Sequence, residues 1–417
     1  MTTTAPAPAC LAALSRAGEL ARTLADPGTA WPGGRPDGGR SWPQSLAGGA
    51  SGIALLHIER ARTGHGDWDT AHTWLAAAVH GDISAAANAN LYFGAPALAF
   101  ITHRAAGASR RYLPVLERLD EATLHVTRNR LNQAHQRIDR GERPPMEEFD
   151  LIQGLAGLAA HHLSRHPHHG ITRDVLSYLV RLTEPSPGPT GLPPWWMNVG
   201  PTGARSADYP HGHGNFGLAH GIGAALSVLS QALLHDAAVP GTADAVERIC
   251  TWTDQWRQGT QDAPWWPGLI SMEQARNGHI HPRLRPRPSW CYGASGTARA
   301  QQLAGLALRD PARVQAAENA ILNALRDPLQ PATLDGIGLC HGTAGLLHAA
   351  WRMATETGNL EIAAELPGLA GHLATALDRD DHDPELLDGA AGAALALHTF
   401  ATASAPAPHW DTFLALA

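Results

Sequence analysis

The sequence contains no lysine; all 31 of its basic residues are arginine. Arginine and lysine differ most at bidentate sites, and few of 31 positions can be such sites, so biased codon usage is the plainer reading. Positive charge is outnumbered, 31 basic against 38 acidic residues, for a net charge of −7 and a pI near 6.4. That balance argues against a nucleic-acid binder, which would carry a basic patch. Aromatic residues make up only 6%, although 13 are tryptophan and several sit in proline-rich connectors. No apolar run approaches transmembrane length. The start, Met1-Thr2-Thr3-Thr4-Ala5-Pro6, lacks the basic segment and apolar core of a signal peptide. Cysteine is scarce too, at four: Cys10, Cys250, Cys291 and Cys340. In a long chain without a secretion signal, that count suggests metal or catalytic use before a disulfide framework. A cytoplasmic protein is the expectation.

What the chain does contain is concentrated in two stretches, Ser289-Trp290-Cys291-Tyr292-Gly293 and Leu339-Cys340-His341-Gly342. Each places metal ligands just before a Gly-x-x-Gly turn. Two thiolates and one imidazole form a zinc ligand set, and three protein ligands leave a fourth tetrahedral position open, as catalytic zinc requires. A structural zinc would need a fourth protein ligand; Cys10 and Cys250 lack any neighbouring motif, and a connector histidine remains an alternative.

The turn itself recurs seven times, at Gly49, Gly94, Gly154, Gly221, Gly293, Gly342 and Gly389. By subtraction the copies lie 45, 60, 67, 72, 49 and 47 residues apart. The shorter spacings suit one helical hairpin each, and the longer ones a hairpin with an insertion. Nearly continuous apolar runs such as 53–58 and 224–229 follow the turns, predicting helices buried on most sides. The segments between, such as 112–119, are amphipathic. Buried and half-exposed helices therefore alternate, as in an inner and an outer ring. Residues 5–22 and 171–183 read as helices. Residues 26–42 read as loop, and 184–214, 263–267 and 280–288 as long connectors. No composition break marks a second domain, so residues 1–417 are expected to form one.

These strings resemble the lanthionine synthetase C (LanC) family of lanthipeptide cyclases. Besides Ser289–Gly293 and Cys340-His341-Gly342, the matching stretches are Gly212-His213, Asn215–Gly221 with Ala219-His220-Gly221, Asp150–Gly157, and the ending Trp410-Asp411. The likeness runs over nearly the whole chain. The Trp-Cys-Tyr-Gly and Cys-His-Gly strings are highly specific; a bare Gly-x-x-Gly is not. Ile222-Gly223-Ala224 departs from the usual pattern of the fourth turn. The resemblance implies an all-α fold, an α/α toroid of seven inner and seven outer helices. It implies Zn²⁺ held by Cys291, Cys340 and His341. It also implies a stand-alone enzyme that adds cysteine thiols of a dehydrated precursor peptide, leader and core, to dehydroalanine or dehydrobutyrine, usually beside a separate dehydratase.

The chemistry suits the residues. A free thiol has a pKa near 8.5, and zinc binding deprotonates it outright. Two protein thiolates plus a substrate thiolate around Zn²⁺ keep the bound sulfur electron-rich, a physical reason for Cys₂His over His₃. Attack at the β-carbon leaves an enolate that needs a proton at Cα, and His220 is the expected general acid. Asp150 has three open roles: accepting the thiol proton, pairing with His220, or capping a helix. Tyr292 can hydrogen-bond the enolate oxygen or pack in the core. Arg287 can stabilise enolate charge or sit in a solvated loop with Arg283 and Arg285. His161-His162 and His166–His169 are expected to cap a surface helix, and His211 and His213 to support the site from behind. Two other readings stay open: an enzyme adding glutathione or another small thiol to dehydroamino acids, and a peptide-binding scaffold without catalysis. The zinc prenyltransferases, another toroid class, would need an Asp ligand and a diphosphate-binding basic cluster, neither of which is clear.

Overall fold

Each of the seven turn glycines begins a helix in the computed structural model, which describes residues 8–30, 43–107, 111–185, 191–378, 382–405, 407 and 409–417. Fourteen long helices alternate along the described residues. The odd-numbered ones are outer: α1 (Pro8–Thr23), α3 (Trp68–Ala78), α5 (Leu113–Asp139), α7 (Gly170–Leu182), α9 (Thr242–Gln255), α11 (Pro311–Arg326) and α13 (Leu360–Ala376). The even-numbered ones follow the turns: α2 (Ala50–Arg62), α4 (Ala95–Ala106), α6 (Leu155–Arg165), α8 (Ile222–Leu234), α10 (Ala294–Leu308), α12 (Thr343–Thr357) and α14 (Ala390–Thr402). The inner helices are buried along most of their length, as their unbroken apolar character requires. The outer ones bury one stripe; on α7 it is Ile171, Val175, Leu179 and Leu182. Residues 31–42 of the expected loop, 5–7 of the expected first helix and 186–190 of the expected connector lie outside the described residues. Within the expected loop, Pro27–Ala30 forms a single helical turn instead.

The two kinds of helix start differently. Several outer helices have side-chain caps: Asp67 Oδ1 accepts from Thr70 N at 2.7 Å, and Asn359 Oδ1 accepts from Glu361 N and Ile362 N at 3.0 Å each. The inner helices have glycine caps without a side-chain bond. Their first N–H groups turn instead to the preceding loop, as in Thr343 N to Gly336 O at 3.2 Å and Ala390 N to Asp383 O at 2.8 Å. This wrap leaves no room for a Cβ. One built on Gly293 would lie 1.9 Å from Arg287 O, and one on Gly296 2.0 Å from Trp290 O. The backbone at Gly293 is extended, so it is space and not φ that demands glycine. Gly293→Ala should therefore disturb the turn carrying Cys291 and lower the thermal midpoint markedly, by an effect on the order of 3 kcal/mol. A melt within one degree of wild type would contradict this. The fourth turn keeps the same start at Gly221, φ −127° and ψ −170°, despite its divergent sequence.

The described chain divides into two compact units. The first comprises residues 1–84, 92–120 and 332–410. In it the inner helices pack side by side in the order α12, α14, α2, α4, with α13 on α12, α3 on α2, and α1 against both α14 and α13. The second comprises residues 85–91, 121–331 and 411–417. Its inner helices pack in the order α6, α8, α10, with α7, α9 and α11 outside them. Its connectors add two short antiparallel pairs: β1 (His213–Asn215) on β4 (Leu269–Ser271), and β2 (Gln258–Gly259) on β3 (Pro264–Trp265). Phe216 stacks on Trp252 at 4.3 Å between ring centroids, and Trp195 meets the same indole edge-on.

The second unit is completed by residues 411–417, whose backbone carbonyls are taken up by buried side chains. Trp290 Nε1 donates to Leu414 O at 3.0 Å and Gln231 Nε2 to Ala415 O at 3.2 Å. Arg299 donates through Nε and Nη2 to Leu416 O at 3.0 and 2.8 Å. Arg299→Leu removes both charged bonds and leaves a buried carbonyl bare, a loss of about 3 kcal/mol in denaturant unfolding. An unchanged midpoint would show that the tail contributes nothing.

The histidine pair His161-His162 is not at the surface; both side chains are buried on α6. His162 Nε2 meets Thr127 Oγ1 at 2.9 Å, and burial pushes its pKa down to about 3. His398 and His57 are likewise buried, with values lowered by burial to about 3 and about 4. These rings stay neutral in the folded chain but gain protons near pH 6.5 once unfolded. Stability is therefore full above about pH 6.5 and erodes as pH falls toward 3, because the unfolded state binds more protons in that window. A flat unfolding free energy between pH 7 and pH 4.5 would contradict this.

Candidate functional site

Cys291, Tyr292, His220, Asp150 and Arg287 all belong to the second unit. Asp150 is fully buried, and both its oxygens are used. Oδ1 accepts from Gln153 N and Gly154 N at 2.7 Å each, which fixes the turn that leads into α6. Oδ2 meets His220 Nδ1 at 2.6 Å. Of the three sequence-level readings of Asp150, the geometry shows the pairing with His220; the start of α6 itself has no side-chain cap. Its side chain has no exposed oxygen for an incoming thiol. His220 itself is 26% exposed. With Nδ1 fixed by the carboxylate, Nε2 is the atom left to exchange a proton.

The loop of His220 is stitched to that of Cys291. Phe216 N donates to Gly268 O at 3.0 Å and Ala219 N to Cys291 O at 3.2 Å. The rings of His220 and Tyr292 lie 6.1 Å apart between centroids. Cys291 is buried, with Sγ 3.6 Å from Ser289 Oγ. It stands at the start of α10, where the helix dipole favours negative charge on sulfur. Arg287 is half-buried, with its carbonyl accepting from Ser289 N at 2.8 Å. Arg285 instead turns to Asp327 at 3.4 Å.

Cys340 and His341 belong to the first unit, at the start of α12. Cys340 N and Leu339 N both donate to Leu387 O, at 3.0 and 2.7 Å. His341 O accepts from Asp335 N at 3.1 Å, and His341 Nδ1 lies 3.5 Å from Asp388 Oδ1. Cys291, Cys340 and His341 each offer one ligand atom, and all three atoms lie within 4.8 Å of one another. Tetrahedral zinc with bonds of about 2.0–2.3 Å needs donors roughly 3.5 Å apart. The spacing and the donor set fit a metal ion, and the other two cysteines take no part in the cluster. No disulfide joins any of the four.

Residues 40–415 match the model of the family described as lanthionine synthetase C-like protein. The chain belongs to that family. It is also similar to the nisin biosynthesis protein NisC of Lactococcus lactis subsp. lactis, 26% identical over 207 residues. That match covers 49% of this chain and spans about half, 48%, of the relative's length. Among solved structures it is similar to nisin cyclase, with a TM-score of 0.74 at 20% identity, covering 90% of this chain and 92% of the other. The fold is accordingly the α/α toroid that the family resemblance implied.

In this member of the LanC-like family, His213 bonds to the connector backbone. It is buried in β1, with Nδ1 on Val199 O at 2.7 Å, where it ties the connector together. Asp388 and Ser289 were missed from the sequence. For Asp388 a signal existed: it immediately precedes the turn glycine Gly389, the position that His220, Tyr292 and His341 occupy in their own turns. Ser289 carries no such mark. No helix among the described residues is long and apolar enough to cross a membrane.

Proposed function

We propose that this chain is a zinc-dependent lanthipeptide cyclase, a single catalytic domain over residues 1–417 working in the cytoplasm. Its substrate is a dehydrated precursor peptide, leader and core, and it can act in company with a separate dehydratase. The observation that carries this reading is the convergence of the Cys291, Cys340 and His341 ligand atoms. Zinc bound there supplies a substrate cysteine as thiolate at neutral pH. The chain's own residues do the rest. Sulfur bonds to the β-carbon of the dehydroamino acid, and the π pair moves to the α-carbon. His220, oriented by buried Asp150, delivers the proton to that carbon from Nε2. Tyr292 donates its hydroxyl to the substrate carbonyl oxygen, a role supported by its ring lying beside that of His220. Arg287 adds positive charge near the same turn.

The test is incubation with dehydrated nisin precursor, followed by counting free thiols with and without zinc. Thiols should disappear with no change in peptide mass, and only when zinc is present. Saturable addition of glutathione in preference to ring closure would favour the small-thiol enzyme instead. No thiol loss with a fully zinc-loaded protein would leave a binding scaffold.

A further inference from the structure

A cavity of about 1110 Å³ opens on the second unit, bounded by α5, the segment 85–90 and the loop 140–148. We propose that it holds, in extended form, the stretch of precursor peptide adjoining the reacting residues; this rests on the cyclase reading above. Three features point there. Its α5 wall presents exposed amides, Asn129, Asn132 and Gln133, which can each donate to and accept from a peptide main chain without selecting its sequence. Its charges are of both signs, four arginines and three glutamates: Arg137 grips Glu148 through Nε at 3.1 Å and Nη2 at 2.5 Å, Arg140 meets Glu142 at 2.8 Å, and Arg130 and Arg143 turn to backbone carbonyls. With no field of one sign, the walls are unsuited to phosphate or nucleic acid. Finally, Gln153 lines the cavity, and its N–H donates to Asp150 Oδ1. The same carboxylate holds His220, so one residue of the cavity wall belongs to the turn that orients the His220 ring.

The dimensions suit a peptide. The lining runs along α5 from His125 to Arg140, about 22 Å at 1.5 Å per residue. An extended chain covers that with roughly six or seven residues. The wall is also fixed before anything binds. Arg130 bonds to Ala87 O at 2.8 Å, to Ala89 O at 2.9 Å and to Gln153 O, tying the segment 85–90 and the α6 turn to α5. A pre-built groove spares the ordering cost of forming one.

The probe is fluorescein-labelled dehydrated nisin precursor, and the readout is anisotropy on the full chain. Asn129→Trp and Gln133→Trp fill the groove from exposed positions that the fold tolerates. Each should weaken binding at least tenfold, whereas Gln136→Trp, exposed on the same helix outside the lining, should leave it within twofold. Groove variants that bind as wild type does, or a wild type that binds no peptide, would overturn the inference. Ring closure is read separately on a short synthetic peptide carrying one dehydroalanine and one cysteine. If wild type closes that ring and the groove variants bind the long peptide normally, the groove is wrong and the cyclase stands. If it closes no ring yet binding depends on the groove, the peptide site stands and the cyclase reading falls.

Discussion

Alanine in place of Cys291 will leave the protein without zinc. Only Cys340 and His341 would remain as ligands, and two donors do not hold the ion at cellular concentrations. Loss of a mere outer partner of a ligand already costs about 10–100-fold in metal affinity, and loss of a ligand exceeds that. Wild type should purify with one zinc per chain by elemental analysis and Cys291→Ala with close to none. Ring closure should fall by at least about a thousandfold. Because Cys291 is buried against Ser289 and anchored through its carbonyl to Ala219 N, the alanine variant keeps its turn. Its melting curve should therefore match that of zinc-stripped wild type. A variant that retains one zinc and wild-type activity would remove Cys291 from the site.

The second large effect belongs to Asp150 and His220. Asp150→Asn keeps the shape and the turn, since an amide oxygen can still accept from Gln153 N and Gly154 N. It removes the negative partner 2.6 Å from His220 Nδ1. General acid catalysis contributes about 10²–10⁴-fold, so kcat should drop by about 10²-fold or more with zinc content unchanged. His220→Asn should cost as much, and the double variant no more than the worse single one, because residues acting as a unit are not additive. Losses that multiply would show that the two act independently and that Asp150 only holds the turn before α6.

Much of this was legible in the sequence because it is local. A glycine opening an unbroken apolar run marks a buried helix start, and all seven such marks hold. The metal ligands are legible for the same reason: Cys291 and His341 sit at fixed offsets from Gly293 and Gly342. What pairs over long range was not. The bond between Asp150 and His220 spans 70 residues, so the sequence could offer it only as one of three roles for Asp150. The Arg299–Leu416 contact spans 117 and leaves no pattern at all. His161-His162 misled because composition suggests a polar surface, whereas one hydroxyl, Thr127, makes room for an imidazole inside. Strands of two or three residues, such as β1 and β2, are too short to show alternation.

The carbonyls of residues 414–416 bear on how such a protein is made. Synthesis proceeds from the N-terminus, yet α8 and α10 lack those acceptors until residues 414–416 have left the ribosome. The first unit waits as well, because α1 packs on α13 and α14 from the far end of the sequence. Neither half can mature during translation, and contacts so distant along the chain make for slow closure. A product cut short before residue 411 would lack those acceptors and carry its thiols on an unset frame.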